Sequence, residues 1–171
     1  MECSEKYLEA IRFAAWQHAL ANYDGRPYYS HFKDLEQVLR DHNEYDEESA
    51  ILCNFHDLLE GGADLSYGNL KDLFGFVYAE VTYLCTDNKG RTRDDRKDQR
   101  FYDEIKQSEL RLKATKIKVT DRLSNARRSI KNKHSMGKKY IKEYPHFKEE
   151  LCVPGHIESM WKELDELMKG K

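Results

Sequence analysis

The chain has 171 residues, of which 39% are hydrophobic and 35% charged, and its formal net charge at pH 7 is −2. A chain of this length can bury a sizeable core, so we expect one domain over residues 1–171. A mean hydropathy of −0.89 and the lack of a long apolar run exclude a membrane-spanning helix. Because the charge is nearly balanced, neither nucleic acid nor an anionic membrane is expected as a partner.

The cysteines and the start of the chain predict a cytoplasmic protein. The four cysteines are scattered, without a Cys-x-x-Cys pair, which is typical of reduced thiols. The opening residues Met1 to Glu5 are acidic and lack the apolar stretch of a signal peptide.

Apolar residues recur at helical spacing along the chain, whereas alternating strand patterns are nearly absent. Helices are predicted over about residues 4–22, 31–42, 46–60, 70–74, 76–84, 109–132, 136–148 and 155–169. The turn Asp24-Gly25-Arg26-Pro27 ends the first helix. The charged segment 87–100 predicts a loop that leads into a helix. The pattern favours an all-α bundle.

Several rings are expected in the core of this bundle. His18 falls on the apolar stripe of the first helix and is interpreted as a satisfied core histidine. Five aromatic side chains are assigned to the core: Trp16, Phe32, Phe55, Phe74 and Trp161.

The strongest chemical signal is the pair His56-Asp57 within an otherwise apolar run. An imidazole and a carboxylate are costly to bury unless both are satisfied, and a metal ion would satisfy both. His31 opens the second helix, and Asp121 lies on a mainly apolar helical face, where a carboxylate needs a partner. His31, His56, Asp57 and Asp121 therefore form a candidate site with two nitrogen and two oxygen ligands at the centre of the fold.

The order His…His-Asp…Asp resembles the HD superfamily of metal-dependent phosphohydrolases. Within it, the sequence is most similar to the hydrolase domain of RelA/SpoT-type proteins and their small single-domain homologues, which remove the 3′-pyrophosphate of guanosine tetraphosphate. The resemblance spans about residues 6–130, and the helices over 136–169 are expected to pack on this part. The matching stretches are Phe13-Ala14-Ala15 with His18, Gly25-Arg26-Pro27-Tyr28-Tyr29-Ser30-His31, His56-Asp57-Leu58-Leu59-Glu60, Phe74-Gly75 and Lys118-x-x-Asp121-Arg122-Leu123-x-Asn125.

The resemblance implies a role for each site residue. The four ligands would hold a divalent ion that activates a water and polarises a phosphoryl oxygen, with Glu60 and Asp64 as catalytic residues. Mixed nitrogen and oxygen ligands suit manganese, iron, cobalt or zinc better than magnesium, and the resemblance favours manganese. Five residues are expected to bind the nucleotide substrate: Tyr23, Arg91, Arg93, Lys118 and Asn125.

Two departures from the family pattern fall on substrate recognition and water activation. Gly61 stands where the family has a second acidic residue, and Asp64 is its expected substitute. Asn22-Tyr23 stands where the family has an Arg-Lys pair, and the ring of Tyr23 is expected to stack on the base instead.

Three functions therefore remain open. The leading hypothesis is a guanosine 3′,5′-bis(diphosphate) 3′-pyrophosphohydrolase. The alternatives are a (deoxy)nucleotidase or triphosphohydrolase of the same superfamily, and a non-catalytic HD module that binds a nucleotide or a protein. Whether the protein forms a homo-oligomer is also open.

Overall fold

The computed structural model describes residues 4–23, 25–60, 65–86, 99–131 and 135–169. These residues form nine helices and one short antiparallel hairpin. The helices are α1 (Glu5–Gln17), α2 (Tyr29–Asp41), α3 (Glu47–Phe55), α4 (Tyr67–Phe74), α5 (Phe76–Cys85), α6 (Gln99–Gln107), α7 (Arg111–Lys131), α8 (Ser135–Leu151) and α9 (Glu158–Met168). The hairpin pairs β1 (Asn22–Tyr23) with β2 (Arg26–Pro27). The predicted all-α class is confirmed, and within these residues we find no helix of the length and apolar character needed to cross a membrane.

Several helices begin at side-chain caps. The hydroxyl of Ser4 accepts a hydrogen bond from the Tyr7 N–H, and the carboxylate of Asp46 accepts one from Ser49. Ser66 forms a reciprocal capping box with Asn69 at the start of α4. These bonds satisfy backbone N–H groups that a helix leaves unpaired in its first turn.

The long helix α7 lies at the centre of the bundle. It packs against α2, α3, α5, α6, α8 and α9. Its buried apolar side chains are Ala114, Ile117, Val119, Leu123 and Ala126. Polar residues that α7 carries among these positions are consequently held deep in the molecule.

The structure corrects three details of the predicted elements. The first helix ends at Gln17 instead of residue 22, because the chain turns there and the Tyr28 N–H bonds the carbonyl of Ala21. The third helix ends at Phe55, so His56 and Asp57 lie in the turns that follow. The charged segment does lead into a helix, Gln99–Gln107, whose first two residues fall within the predicted loop, and residues 87–98 of that loop lie outside the described residues.

The expected core position of Trp16 is wrong, since 71% of this residue is exposed. Helix α1 packs on α3 and buries Ala10 and Ala14 completely. Trp16 lies two residues beyond Ala14, which turns its side chain away from that face of the helix. Phe32, Phe55 and Trp161 are buried as expected, and Phe74 packs against the core.

Candidate metal centre

Three elements bring the candidate ligands together. Helix α2 contributes His31, the turn after α3 contributes His56 and Asp57, and α7 contributes Asp121. His31, His56 and Asp121 each offer a ligand atom, and these atoms lie within 4.8 Å of one another. The Nε2 of His31 is 3.2 Å from the Oδ1 of Asp121, and the Nε2 of His56 is 3.0 Å from the Oδ1 of Asp57.

A backbone contact orients His56. Its Nδ1 lies 2.6 Å from the carbonyl oxygen of Cys53, one turn earlier on α3. A carbonyl oxygen only accepts, so the Nδ1 carries the proton and donates it. The Nε2 therefore faces the carboxylates of Asp57 and Asp121, at 3.0 and 3.6 Å from their nearer oxygens. A histidine that binds a metal through one nitrogen is commonly held by its other nitrogen in this way.

The carboxylate of Asp57 is held from its other side. The hydroxyl of Tyr28 donates a hydrogen bond to the Oδ2 of Asp57. Burial and then the charge of Asp57 raise the pKa of Tyr28 well above its usual range, so the phenol keeps its proton. The Tyr28 ring stacks on the ring of His18 at 4.0 Å between centroids. Burial lowers the pKa of His18 to about 4, which keeps this stacked ring uncharged at neutral pH.

The carboxylate of Asp121 has a comparable support. The side-chain amide of Asn125 donates a hydrogen bond of 2.6 Å to its Oδ1. The hydroxyl of Tyr23 in turn donates to the Oδ1 of Asn125. The ring of Tyr23 stacks on the ligand His31, with 4.1 Å between centroids.

These contacts change the interpretation of Tyr23. The guanidinium of Arg128 lies 4.3 Å from the centre of the same ring. Two groups this close to one centroid cannot share a face, so His31 and Arg128 cover both faces of Tyr23. A nucleotide base could stack there only after Arg128 had moved, and the expected stacking is therefore not available in this arrangement.

The site concentrates negative charge around buried imidazoles. Burial raises the pKa of Asp57, but the imidazole of His56 and its hydrogen bonds lower it more, to about 2. Burial likewise opposes the ionisation of Asp121, yet contacts with His31 and His56 hold its pKa well below its usual range. For His56 the effects are opposite: burial lowers its pKa, but the carboxylates of Asp57 and Asp121 raise it well above its usual value. Two ionised carboxylates thus face each other across nitrogens that must supply the positive charge.

This arrangement fits a divalent cation. Because the Nδ1–H of His56 donates its hydrogen bond to the Cys53 carbonyl, the Nε2 of a neutral His56 presents only a lone pair to Asp57 and Asp121. Acceptors would then face acceptors, which is unfavourable in a buried site unless a proton or a metal ion lies between them. Two imidazoles and two carboxylates are also a donor set that transition metals prefer.

A cavity of about 170 Å³ opens next to these ligands. Glu60 and Lys118, which were predicted as a catalytic and a substrate-binding residue, both line it. Lys118 is 6% exposed, and its ammonium group donates a 2.9 Å hydrogen bond to the carbonyl of Cys85. The remaining lining residues are Tyr23, Tyr28, His31, Asp57, Asp121, Arg122, Asn125, Tyr140 and Phe147. The predicted site residues Asp64, Arg91 and Arg93 lie outside the described residues.

The sequence analysis missed two parts of this cavity. Tyr28 and Arg122 belong to the matching motifs, but neither was assigned a role. Tyr140 and Phe147 lie on α8, beyond the part that resembles the family. Tyr28 and Arg122 carried a signal in the sequence, since Tyr28 belongs to the motif that ends at His31 and Arg122 lies four residues after Lys118, on the same side of a helix. Tyr140 and Phe147 carried none.

The fold is similar to that of a solved structure. No family model and no curated protein matches the chain. Six solved chains do match, and one of them is described as a metazoan ortholog of SpoT that hydrolyzes ppGpp and plays a role in starvation responses. The identity is 23%, the TM-score is 0.78, and the match covers 99% of this chain and 97% of that chain. At this identity the likeness establishes the fold, which the two proteins share over almost their whole length.

Proposed function

We propose that the protein is an HD-type, metal-dependent phosphohydrolase that acts on a nucleotide. The observation that carries the proposal is the convergence of His31, His56 and Asp121 within 4.8 Å, with Asp57 beside them, at the wall of a cavity. These four residues would hold the metal ion, for which manganese is the first candidate. When bound, the ion would acidify a water and polarise a phosphoryl oxygen.

The charges that line the cavity explain why a phosphate would depend on that ion. Among the described residues that line the cavity, three carboxylates (Asp57, Glu60 and Asp121) face two cations, Lys118 and Arg122. With neutral histidines, the form that binds a metal ion, these residues carry a net charge of −1, which disfavours an anionic substrate. A divalent ion changes this sum to +1, so we expect metal and phosphate to bind in that order.

Glu60 is the proposed general base. Its side chain lines the cavity together with Asp57, and its N–H donates a 3.0 Å hydrogen bond to the Asp57 carbonyl. This turn keeps Glu60 beside the ligands without making it one of them. A carboxylate in that position can orient a water and accept its proton.

Lys118 is the proposed cation for the charge that develops on the transferred phosphoryl group. It projects from α7 one turn before Asp121, into the same cavity. Its contact with the Cys85 carbonyl and its position 5.1 Å from the centre of the Phe101 ring restrict the ammonium group. A cation that is already oriented stabilises a transition state better than one that must be ordered during the reaction.

Guanosine 3′,5′-bis(diphosphate) is the first substrate to test, with its 3′-pyrophosphate as the leaving group. The similar fold belongs to a protein described as hydrolyzing ppGpp, and the ligand order in this chain resembles the same family. We also propose a cytoplasmic location, since Cys53, Cys85 and Cys152 are free thiols among the described residues.

A second candidate is a (deoxy)nucleotidase or triphosphohydrolase. Tyr23 occupies a position where the RelA/SpoT-type pattern has a cation, and it supports the ligands instead of offering charge to a substrate. The nearest cation of the hairpin, Arg26, pairs with Asp34 at 3.0 Å and does not line the cavity. Among the described residues the cavity thus has fewer cations than the RelA/SpoT-type pattern implies, which suits a substrate with fewer phosphates.

One experiment separates these candidates. The purified protein, loaded with Mn²⁺ and analysed for bound metal, is incubated with guanosine tetraphosphate and with a panel of nucleoside and deoxynucleoside phosphates. We expect pyrophosphate from guanosine tetraphosphate if the first candidate is right, and phosphate or triphosphate from the panel if the second is right. Binding without turnover, unchanged in Glu60→Gln, would identify a non-catalytic module. Failure to bind any divalent ion would refute both metal-dependent candidates.

A further inference from the structure

Arg122 is a buried cation in the cavity that the proposed chemistry leaves without a role. It is 4% exposed, yet it lines the same cavity as the candidate ligands. On α7, the cavity-lining residues Lys118, Asp121, Arg122 and Asn125 follow the spacing of one helical face. Arg122 therefore shares that face with a candidate metal ligand and reaches the side of the cavity that α8 closes.

Two aromatic rings of α8 hold the guanidinium in place. Its central carbon lies 4.8 Å from the centre of the Tyr140 ring and 4.6 Å from that of Phe147. A guanidinium that stacks on an aromatic ring uses its flat face, and its edges, which carry the N–H groups, stay available for hydrogen bonds. Among the described residues one acceptor is recorded, the Oε2 of Glu143, at 3.1 Å from Nη1.

A guanidinium has five N–H donors in a planar fork, and burying it is costly unless these donors meet acceptors. The contact with Glu143 uses one of these donors, so most of the N–H groups of Arg122 need other acceptors. Since Arg122 is buried from solvent but lines the cavity, the acceptors that complete its bonding are best supplied from inside the cavity. The acceptor group that matches such a fork is a phosphate or carboxylate with two oxygens.

We propose that Arg122, clamped between Tyr140 and Phe147, is a binding subsite for an ionised phosphoryl group of the nucleotide. The proposal rests on the proposed function, because Arg122 would bind the anionic part of the substrate in that same site. It also assigns α8 to the active site instead of to packing alone. The subsite takes a phosphoryl group at the α8 side of the cavity, whereas Lys118 serves the side next to α5 and α6.

The test measures binding instead of turnover. The Mn²⁺-loaded wild type, Arg122→Gln and Arg122→Lys are titrated by calorimetry with inorganic pyrophosphate, guanosine 5′-diphosphate and guanosine. Because hydrogen bonds to charged groups are lost, we expect Arg122→Gln to raise the Kd of both phosphate-bearing probes by about 10- to 100-fold. Arg122→Lys keeps the charge but loses the fork, so its loss should be smaller. The Kd of guanosine should be the same in all three proteins.

Arg127→Gln is the matched control. Arg127 lies on the same helix, is also engaged by carboxylates, and is absent from the cavity lining. Its substitution should leave the Kd of pyrophosphate unchanged. Circular dichroism and metal content show whether each variant keeps its fold, and Arg122→Lys carries the test if Arg122→Gln does not fold.

The outcomes separate this inference from the proposed function. An unchanged Kd in a folded Arg122 variant, or a wild type that does not bind pyrophosphate, overturns the subsite. If the wild type hydrolyses no nucleotide, but Arg122→Gln binds the phosphate-bearing probes more weakly than the wild type, the subsite stands and the hydrolase proposal fails. If the wild type hydrolyses a nucleotide and the Arg122 variants have the same KM for it, the hydrolase proposal stands and the subsite proposal fails.

Discussion

Two clusters of histidine and carboxylate lie along helix α7, and they differ in how their charge is balanced. The first, the ligand cluster, consists of His31, His56, Asp57 and Asp121. The second, which we call the clamp, consists of Asp41, His42, Arg127 and Glu163. Helix α7 contributes Asp121 to the ligand cluster and Arg127 to the clamp.

The clamp carries its own cation. The guanidinium of Arg127 donates hydrogen bonds of 2.7 Å to both oxygens of Glu163 and a third to Asp41. His42 bridges Glu163 at 2.9 Å and Ser159 at 3.0 Å. Each carboxylate here meets a donor, and the cluster fastens α2 and α9 to α7.

The ligand cluster contains no arginine or lysine. Its carboxylates face imidazole nitrogens, while the supporting hydrogen bonds come from the neutral side chains of Tyr28 and Asn125. The same residue types thus connect helices where a guanidinium balances their charge, and they form a candidate metal site where no guanidinium is present. The comparison teaches that the way in which buried charge is balanced, and not the presence of histidine and aspartate, distinguishes the candidate site from the clamp.

The largest expected effect is on His56. His56→Ala removes a proposed ligand, so we expect both metal content and hydrolysis to fall to background. The matched substitution in the clamp, His42→Ala, should lower stability but leave metal content unchanged. Metal analysis of both purified variants decides the matter, and full metal content in His56→Ala would contradict the ligand assignment.

Removal of the metal ion should lower the stability of the folded protein, because the carboxylates of the ligand cluster then lose the cation that balances them. Mn²⁺ at one hundred times its Kd stabilises a folded protein by about 2.7 kcal/mol, which corresponds to roughly 5–10 °C in Tm for a chain of this size. We expect this difference between metal-loaded and chelator-treated wild type. In Asp121→Asn, where a ligand charge is lost, the two melting curves should nearly coincide; an equally large shift would argue for a metal site elsewhere.

A smaller effect is expected from the residues that support the ligands. Tyr28→Phe removes the hydrogen bond to Asp57, and losses of this kind weaken metal binding by about 10- to 100-fold. Tyr29→Phe is the control, because Tyr29 is adjacent in sequence but 51% exposed. Competition with a metal indicator measures both affinities. Equal affinities in the two variants would show that Tyr28 does not position Asp57.

The smallest expected effect concerns the pH dependence of the clamp. Hydrogen bonds from Arg127 hold the pKa of Glu163 below its ordinary value of 4.5, so its stabilising contribution is present above that value and is lost as pH falls through the lower folded pKa. Glu163→Gln should therefore lower Tm by a constant amount between about pH 5 and pH 7 and by less in more acidic solution. Glu166→Gln, an exposed change on the same helix, should have no effect at any pH. A Tm difference for Glu163→Gln that grows in acid would reverse the sign of this linkage.

Local patterns in the chain were sufficient to predict the helices and the candidate ligands. Helical periodicity reports which residues share a face, and it placed Asp121 on the inner face of α7 and His31 at the start of α2. It failed where local pattern has no information. Trp16 is apolar but lies off the face that α1 packs on α3, and the pattern did not give the bounds of the helix Gln99–Gln107 that follows the charged segment.

The roles of the supporting residues could not be predicted in this way. Tyr23 and Asn125 are 102 residues apart, and Tyr28 and Asp57 are 29 apart. Each side chain alone is consistent with a substrate contact, which is how Tyr23 and Asn125 were interpreted. The hydrogen bond from Tyr23 to Asn125 exists only when the hairpin is folded against α7, whereas the bond from Asn125 to Asp121 lies within α7.

Residue order and periodicity alone thus determine that this chain is helical, and they predict that two histidines and two aspartates form one site. Tertiary structure decides which nitrogen of His56 faces the carboxylates, that Tyr23 supports the site, and that Arg122 is closed in by α8. The physical reason is that hydrophobic periodicity acts between neighbours on one helix. Hydrogen-bond geometry and charge balance, in contrast, depend on atoms that come from distant segments.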